Sequence, residues 1–331
     1  MADRSSIEWT DATWNPITGC SIATAGCARC YAMVLAGTRL KHHPSRAGLT
    51  RETKAGPVWT GEVRFNEAWL EQPLRWTRPR KIFVCAHGDL FAPGVPVTWI
   101  DRVFAVMRQA HRHSFQVLTK RPDTMLDYVR GVWASKKENG APRPNVILGA
   151  SVERQREADL RRPAMAELAA AGWPTWCSYE PALGPVDWRG WEFLRCLVSG
   201  GESGKDARPN HPDWHRGARD FCAAHAIAYQ FKQWGGWRPI SEGQAEWWDA
   251  LYEPRVVAKE HQDQGALDDI HGRSCKVAQR VVHRDGSTHA IADPGAWQQG
   301  SGAMLAFEVG KRLAGRFLDG VEHNAMPEAR P

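Results

Sequence analysis

Three cysteines stand together near the amino end, in the run Trp14-Asn-Pro-Ile-Thr-Gly-Cys20-Ser-Ile-Ala-Thr-Ala-Gly-Cys27-Ala-Arg-Cys30-Tyr31-Ala32. The Cys-x6-Cys-x2-Cys spacing offers three thiolates from one loop. Three thiolates can hold three irons of a 4Fe-4S cubane and leave the fourth iron open for chemistry. Zinc competes for the same residues, because a Cys-x2-Cys pair is a common half-site. A structural zinc wants a fourth protein ligand, and only the adjacent His42 and His43 are at hand, with no second Cys-x2-Cys or His-x3-5-His pair following. Unligated thiols are the third reading. Ligand count and spacing favour iron–sulfur. Gly19 and Gly26 directly precede the first two cysteines, where a loop wrapping a cluster needs tight turns and close backbone approach. Cys85, Cys177, Cys196, Cys222 and Cys275 stand singly and are expected as buried thiols.

A loop of this kind needs a scaffold, and one is legible from about residue 80 onward. Short apolar runs alternate there with helical patterns: strands are expected at 81–86, 115–119, 146–150, 175–179, 196–199 and 226–231, and helices at 98–111, 153–171 and 212–225. This rhythm predicts βα units around a parallel sheet, an α/β fold in the form of a partial or full barrel. Functional groups gather at the carboxyl ends of the strands in such folds. Those ends are polar here: Asp89, Lys120, Ser151 with Glu153, Glu180, Gly200-Gly201-Glu202, and Lys232-Gln233. For each of these, an ordinary loop role competes with a functional one. Residues 41–80 are expected as an irregular insertion, and 1–237 as the barrel. Residues 238–331 are expected as a smaller α+β extension packed on it, with strands at 256–259, 281–283 and 303–309 and a basic helix near 309–317.

Composition narrows the setting. The 331 residues are 43% hydrophobic and 24% charged, which is ordinary for a globular chain. No run approaches the about 18 apolar residues that span a bilayer, and the opening lacks the apolar core of a secretory signal, so a cytoplasmic protein with no membrane partner is expected. Eight cysteines in that reducing setting point to metal chemistry and buried thiols, not to four disulfides. A net charge of +6 and seventeen tryptophans are compatible with a nucleotide or DNA partner without requiring one. Ser199 to Asp206, SGGESGKD, mimics a phosphate-binding loop but lacks its first glycine and its final hydroxyl residue, which argues against a nucleoside triphosphatase.

The cysteine loop, with an aromatic directly after its last cysteine, resembles the radical S-adenosylmethionine superfamily, whose common spacing is Cys-x3-Cys-x2-Cys. Cys27-Ala-Arg-Cys30-Tyr31 matches the second half of that pattern, and the first gap is six residues instead of three. The whole chain is similar to a phage and prophage family named for its three-cysteine motif. The similarity runs through Trp14-Asn-Pro to Tyr31-Ala32, Gly88-Asp89-Leu90-Phe91, Leu118-Thr-Lys-Arg-Pro122, Gly149-Ala-Ser-Val-Glu153, Gly200-Gly-Glu-Ser-Gly204 with Ala207-Arg-Pro209, Phe231-Lys-Gln-Trp-Gly235 and Gly315-Arg-Phe-Leu-Asp-Gly320. The resemblance implies a 4Fe-4S cluster on Cys20, Cys27 and Cys30, S-adenosyl-L-methionine on the open iron, an external electron donor, and reductive cleavage that yields a 5′-deoxyadenosyl radical.

It also implies a polar motif after the second barrel strand that receives the methionine amino group, for which Gly88 and Asp89 stand in the matching place. Ser151, Glu153, Gly200, Gly201 and Glu202 are the further cofactor contacts expected, and Lys120, Glu180 and Lys232 the catalytic ones. The substrate expected is a nucleotide or nucleic-acid base in phage DNA modification, with a peptide or small metabolite as the other candidate for a radical enzyme. From another class, a zinc-stabilised nucleic-acid-binding module without catalysis is the alternative.

Overall fold

Near-continuous apolar runs become parallel strands buried on both faces when crossover helices cover the sheet. The computed structural model describes residue 5, residues 7–134 and residues 141–327. Its largest sheet has seven strands: β1 (Ala12–Trp14), β2 (Lys81–Val84), β3 (Ser114–Thr119), β4 (Val146–Ser151), β5 (Thr175–Tyr179), β6 (Cys196–Gly200) and β7 (Ala228–Gln233). They pair in chain order, each parallel to its neighbour. Among the described residues β1 and β7 remain the two edges, so the sheet is an open half-barrel. The helices that serve it are α2 (Val97–Gln109), α3 (Pro122–Ala134), α4 (Gln155–Ala170) and α5 (Pro212–Ala224), while α1 (Tyr31–Gly37), directly after the cysteine run, packs instead on a hairpin of Thr50–Thr53 and Gly56–Trp59 in a separate cluster with Leu49 and Trp59.

The two-residue period of a strand sorts side chains to two faces. Ile82, Val84, Val117, Leu148, Cys177 and Leu197 belong to the main core with helix residues such as Ile100, Phe104, Val129, Met165 and Ala218. The alternate residues Phe83, Ile147, Trp176, Cys196 and Val198 form a separate cluster with Trp9 on the concave face. Trp176 lies across that face. Its Nε1 donates to the Val117 carbonyl at 3.0 Å, and its ring occupies the space a side chain at Gly149 would need, an added Cβ there falling 2.2 Å from Nε1. Trp9 completes the plug, its ring 4.7 Å from Phe83 and 5.1 Å from Trp176. Continued toward the carboxyl ends, the same parity sends Leu118, Lys120, Ser151, Ser178, Glu180 and Lys232 to the concave face, and all six line the cavity described below.

The six strands expected between residues 81 and 231 are present within a few residues of their expected bounds. Among the elements not anticipated are β1, only three residues long; α1; the hairpin of Thr50–Thr53 with Gly56–Trp59 inside the expected irregular insertion; and α3, which starts at Pro122. Proline ends a strand but is well accommodated in the first turn of a helix, where its missing N–H costs nothing.

Beyond residue 236 the pattern changes to a four-stranded antiparallel sheet of β8 (Trp237–Pro239), β9 (Gln279–Val282), β10 (Thr288–His289) and β11 (Met304–Glu308), in the order β8-β11-β9-β10. The strand expected at 256–259 is absent; a shorter one, Tyr252–Pro254, pairs with Arg273–Cys275, while Val257 is 77% exposed. β-branched residues without a pairing partner do not make a strand. The basic helix is confined to Lys311–Ala314, bounded by Gly310 and Gly315 at positive φ. The chain then returns along the edge of β7, where Phe231 N donates to His323 O at 3.0 Å and Ala325 N to Tyr229 O at 3.1 Å. This covers an otherwise open edge. Among the described residues, no helix is long and apolar enough to cross a membrane.

Candidate active site at the barrel mouth

The cysteine loop crosses the carboxyl ends of the sheet and is clamped there at three points by buried carboxylates. The first is Asp89, in the turn after β2. Its Oδ1 accepts from Phe91 N at 2.9 Å and Thr119 Oγ1 at 2.8 Å, and its Oδ2 accepts from Arg121 Nη1 at 2.9 Å. Arg121 passes the grip to the loop, donating from Nη2 to the Ser21 carbonyl at 2.9 Å and the Ser21 hydroxyl at 2.7 Å, with Nη1 3.8 Å from Cys20 Sγ.

Glu153, just past β4, is the second clamp and is 1% exposed. Its Oε1 accepts from Thr24 Oγ1 at 2.8 Å and from Lys120 Nζ, and its Oε2 accepts from Arg161 Nη1 at 2.8 Å. Burial alone would raise its pKa, but Lys120 and Arg161 hold the carboxyl below the usual range. Gly26 packs directly on this carboxylate: a Cβ there would fall 2.7 Å from both Cγ and Oε1 of Glu153.

The third clamp is Glu202, after β6. It accepts from Arg208 Nε at 2.8 Å and from Arg208 Nη2, and lies 3.5 Å from Arg29 Nη1, inside the cysteine run itself. Arg208 Nη2 also donates to the Ala25 carbonyl at 3.1 Å. Buried carboxylates need such full pairing, because an unpaired charge in the interior is strongly destabilising.

The loop covers a cavity of about 810 Å³ whose wall includes Cys20, Cys27, Cys30, Tyr31, His87, Gly88, Asp89, Lys120, Ser151, Glu180, Gly201, Glu202 and Lys232. Lys232 Nζ lies 2.8 Å from Glu180 Oε1, and Ser178 Oγ donates to Glu180 Oε2 at 3.2 Å. Unlike the three clamps, this pair touches no residue of the cysteine loop by hydrogen bond or ion pair among the described residues, and it is partly open to the cavity. Gly88 meets the loop through a backbone bridge to Gly19, which has φ +94°. Side chains at either would collide, a Cβ on Gly19 falling 2.2 Å from the Glu62 carbonyl and one on Gly88 3.0 Å from the Gly19 carbonyl. Gly200 borders Glu180, and Gly201 lets the backbone pass the Trp234 carbonyl, 2.0 Å from where its Cβ would be.

The expected site residues therefore come together at one mouth, but in two groups. Asp89, Glu153 and Glu202, with Lys120, hold the loop; Ser151, Glu180 and Lys232 face the cavity. The partners Arg121, Arg161, Arg208 and Arg29 were not singled out from the sequence. Three of them, Arg29, Arg121 and Arg208, sit inside the matching stretches Trp14–Ala32, Leu118–Pro122 and Ala207–Pro209.

The three thiols fit an iron–sulfur cluster by their surroundings. Each sulfur has N–H donors: Arg121 at Cys20, Ala23 N at 3.4 Å from Cys27 Sγ, and the Ala32 and Met33 amides at the start of α1 for Cys30. Such donors suit thiolate sulfur and tune a cluster. Burial pushes the Cys20 thiol up to about 12, with Asp89 adding to the effect, and burial also raises Cys30. Thiols of this kind give up their protons when a bound cation takes over the charge. No three His, Cys, Asp or Glu side chains among the described residues gather around a point for a single metal ion. A cubane does not ask for that, since each thiolate binds a different iron. His43, one of the two fourth ligands considered for zinc, lines the cavity with its Nδ1 2.7 Å from Ser45 Oγ.

The chain belongs to the family described as "Protein of unknown function (DUF5131)", which matches residues 4–327. Among curated proteins none matches it. Solved structures of spore photoproduct lyase are similar at low level. A double mutant of that enzyme with bound AdoMet and dinucleoside spore photoproduct has 14% identity and a TM-score of 0.31 over 57% of this chain and 55% of that one. The lyase complexed with dinucleoside spore photoproduct has 14% identity and a TM-score of 0.30 over 56% and 54%. The matched part thus spans little more than half the length of those structures.

Proposed function

We propose that this member of the DUF5131 family is a radical S-adenosylmethionine enzyme, with Cys20, Cys27 and Cys30 as the ligands of a 4Fe-4S cluster and a nucleotide or nucleic-acid base as substrate. The observation that carries the proposal is the placement of three thiols, supplied with N–H donors, on a triply clamped loop over the mouth of an open parallel half-barrel. The cavity beneath, about 810 Å³, is of the size that houses small-molecule ligands. When bound, the cluster would supply the electron that cleaves S-adenosylmethionine to methionine and a 5′-deoxyadenosyl radical, the electron coming from an external donor.

The chain's own part is positioning. Asp89, Glu153 and Glu202 fix the loop against β2, β4 and β6, and so fix where the open iron faces. Asp89 already accepts three short hydrogen bonds, so we assign it to the loop and leave the methionine amino group to the backbone around Gly88 and to the cavity-facing carboxylate Glu180. Lys232 and Glu180 form a hydrogen-bonded acid–base pair on the wall, placed to orient a substrate and to hold a proton at Nζ.

The test is anaerobic reconstitution with iron and sulfide, reduction in the presence of S-adenosylmethionine, and assay for 5′-deoxyadenosine. The proposal expects this nucleoside from the wild type and none from Cys20→Ala, Cys27→Ala or Cys30→Ala. A colourless protein holding about one zinc, with no nucleoside formed, would instead support the non-catalytic binding module.

A further inference from the structure

The cations on the cavity wall fall into two sets. Arg29, Lys120 and Lys232 are each paired with a carboxylate, Glu202, Glu153 and Glu180 respectively. Lys311, and Arg46 and Arg39 on the flank built by the segment after α1, have no acidic partner among the described residues. Arg46 is only 4% exposed. Its Nη1 donates to Ser45 Oγ and, at 3.4 Å, to the Ser45 carbonyl; its Nε is buried with no hydrogen-bond partner. His87, on the same flank, is near enough to feel the charge of both arginines, and its Nδ1 is likewise buried and unpartnered. A guanidinium this deeply buried is costly without a counter-charge, and its fork of donors matches the oxygens of a phosphate or carboxylate. Aromatic surface adjoins it: the Arg46 guanidinium lies 5.8 Å from the centre of the Trp69 ring, and Trp69 and Tyr31 line the same cavity.

We propose that Arg39, Arg46 and His87 form an anion subsite that takes a phosphate of the nucleotide substrate, with Trp69 and Tyr31 beside it for the base. The two arginines supply the charge and the directed N–H donors, and neutral His87 adds one polar ring edge. Burial first, then Arg46 and Arg39, push His87 down to about 4, so it stays uncharged at neutral pH and leaves the anion to the arginines. That the anion belongs to a substrate rests on the enzyme reading above, but binding itself does not need the cluster. The same chemistry would also accept the carboxylate of S-adenosylmethionine, and the experiment separates the two sources.

The full chain is titrated with thymidine 5′-monophosphate, with thymidine and, after reconstitution, with S-adenosylmethionine, following tryptophan fluorescence and calorimetric heat. The nucleotide is expected to bind at least about tenfold more tightly than the nucleoside. Arg46→Gln and Arg39→Gln should each reduce that preference while leaving S-adenosylmethionine affinity within about twofold. Arg39→Gln changes an exposed side chain, so it keeps the test open if Arg46→Gln folds poorly. Equal affinity for nucleotide and nucleoside would overturn the inference. So would variants that weaken S-adenosylmethionine and spare the nucleotide, which would give the arginines to the cofactor's carboxylate. Absence of 5′-deoxyadenosine with phosphate preference intact would count against the radical reading alone.

Discussion

Thr24 donates a 2.8 Å hydrogen bond to Glu153 across 129 positions of sequence, tying the cysteine loop to the carboxyl end of β4. The same carboxylate takes Lys120 and Arg161, so one buried group joins the loop, β3 and α4. Glu153→Ala should strand two cations in the interior and cost about 3–5 kcal/mol of stability. Glu153→Gln, which keeps the shape and can still accept from Thr24, should cost less but lose iron more readily. Denaturant unfolding and iron content after reconstitution check both; an alanine variant of wild-type stability and iron content would remove Glu153 from this role.

Gly26 and Gly19 are needed for different reasons. Gly26→Ala puts a methyl group 2.7 Å from the Glu153 side chain, and Gly19→Ala combines φ +94° with a contact of 2.2 Å to the Glu62 carbonyl. Each should destabilise by about 1–3 kcal/mol. Gly26→Ala should also disturb the Thr24 contact and lower cluster yield, whereas Gly131→Ala, on α3 with open space around it, should be neutral or slightly stabilising. Melting temperatures of the three variants provide the comparison.

How far the sequence reached depends on which residues one asks about. The central strands were legible because burial on both faces demands unbroken apolar runs, and their polar ends were legible because function in such folds collects there. Gly19 and Gly26 were anticipated as close-approach positions and are so, one by its φ and one by its neighbour. What remained hidden was partnership. Nothing in the linear order pairs Glu153 with Thr24, or Glu202 with Arg29 and Arg208, since those contacts exist only once the loop folds over the strand ends. Hence Asp89, Glu153 and Glu202 read as cofactor contacts, though each is occupied with an arginine or lysine. β1 is not legible because three residues carry no periodicity, α1 because seven residues are too few to set a helical period beside the cysteine run, and α3 because Pro122 signals an end as well as a beginning.

Acid should weaken the fold through His215. Its ring is fully buried on α5, with Nε2 2.8 Å from Asn210 Oδ1 and Nδ1 3.2 Å from Ser199 Oγ, and burial pushes it down to about 3 from 6.5. The unfolded chain therefore binds a proton between these values that the folded chain refuses, so stability falls as pH drops from about 6.5 toward about 3. The dependence approaches about 1.4 kcal/mol per pH unit from this group. His215→Gln should flatten that limb. Urea unfolding at pH 7, 6 and 5 compares the slopes, and identical slopes would contradict the assignment.

Glu180 and Lys232 touch the cavity without holding the loop. Glu180→Gln and Lys232→Met should leave iron content and melting temperature close to wild type, yet lower conversion of a substrate by about 10²-fold or more if the pair moves a proton. Loss of iron in either variant would place the pair with the clamps.

The proposed function stands on three cysteines that hold a cluster with one iron left open. Electron paramagnetic resonance of the reduced, reconstituted protein, with iron quantified on the same sample, tests it directly. About four irons per chain, the number of the cubane, and a signal that changes when S-adenosylmethionine is added are expected. A signal unaffected by S-adenosylmethionine, or full iron content in a Cys27→Ala variant, would contradict it.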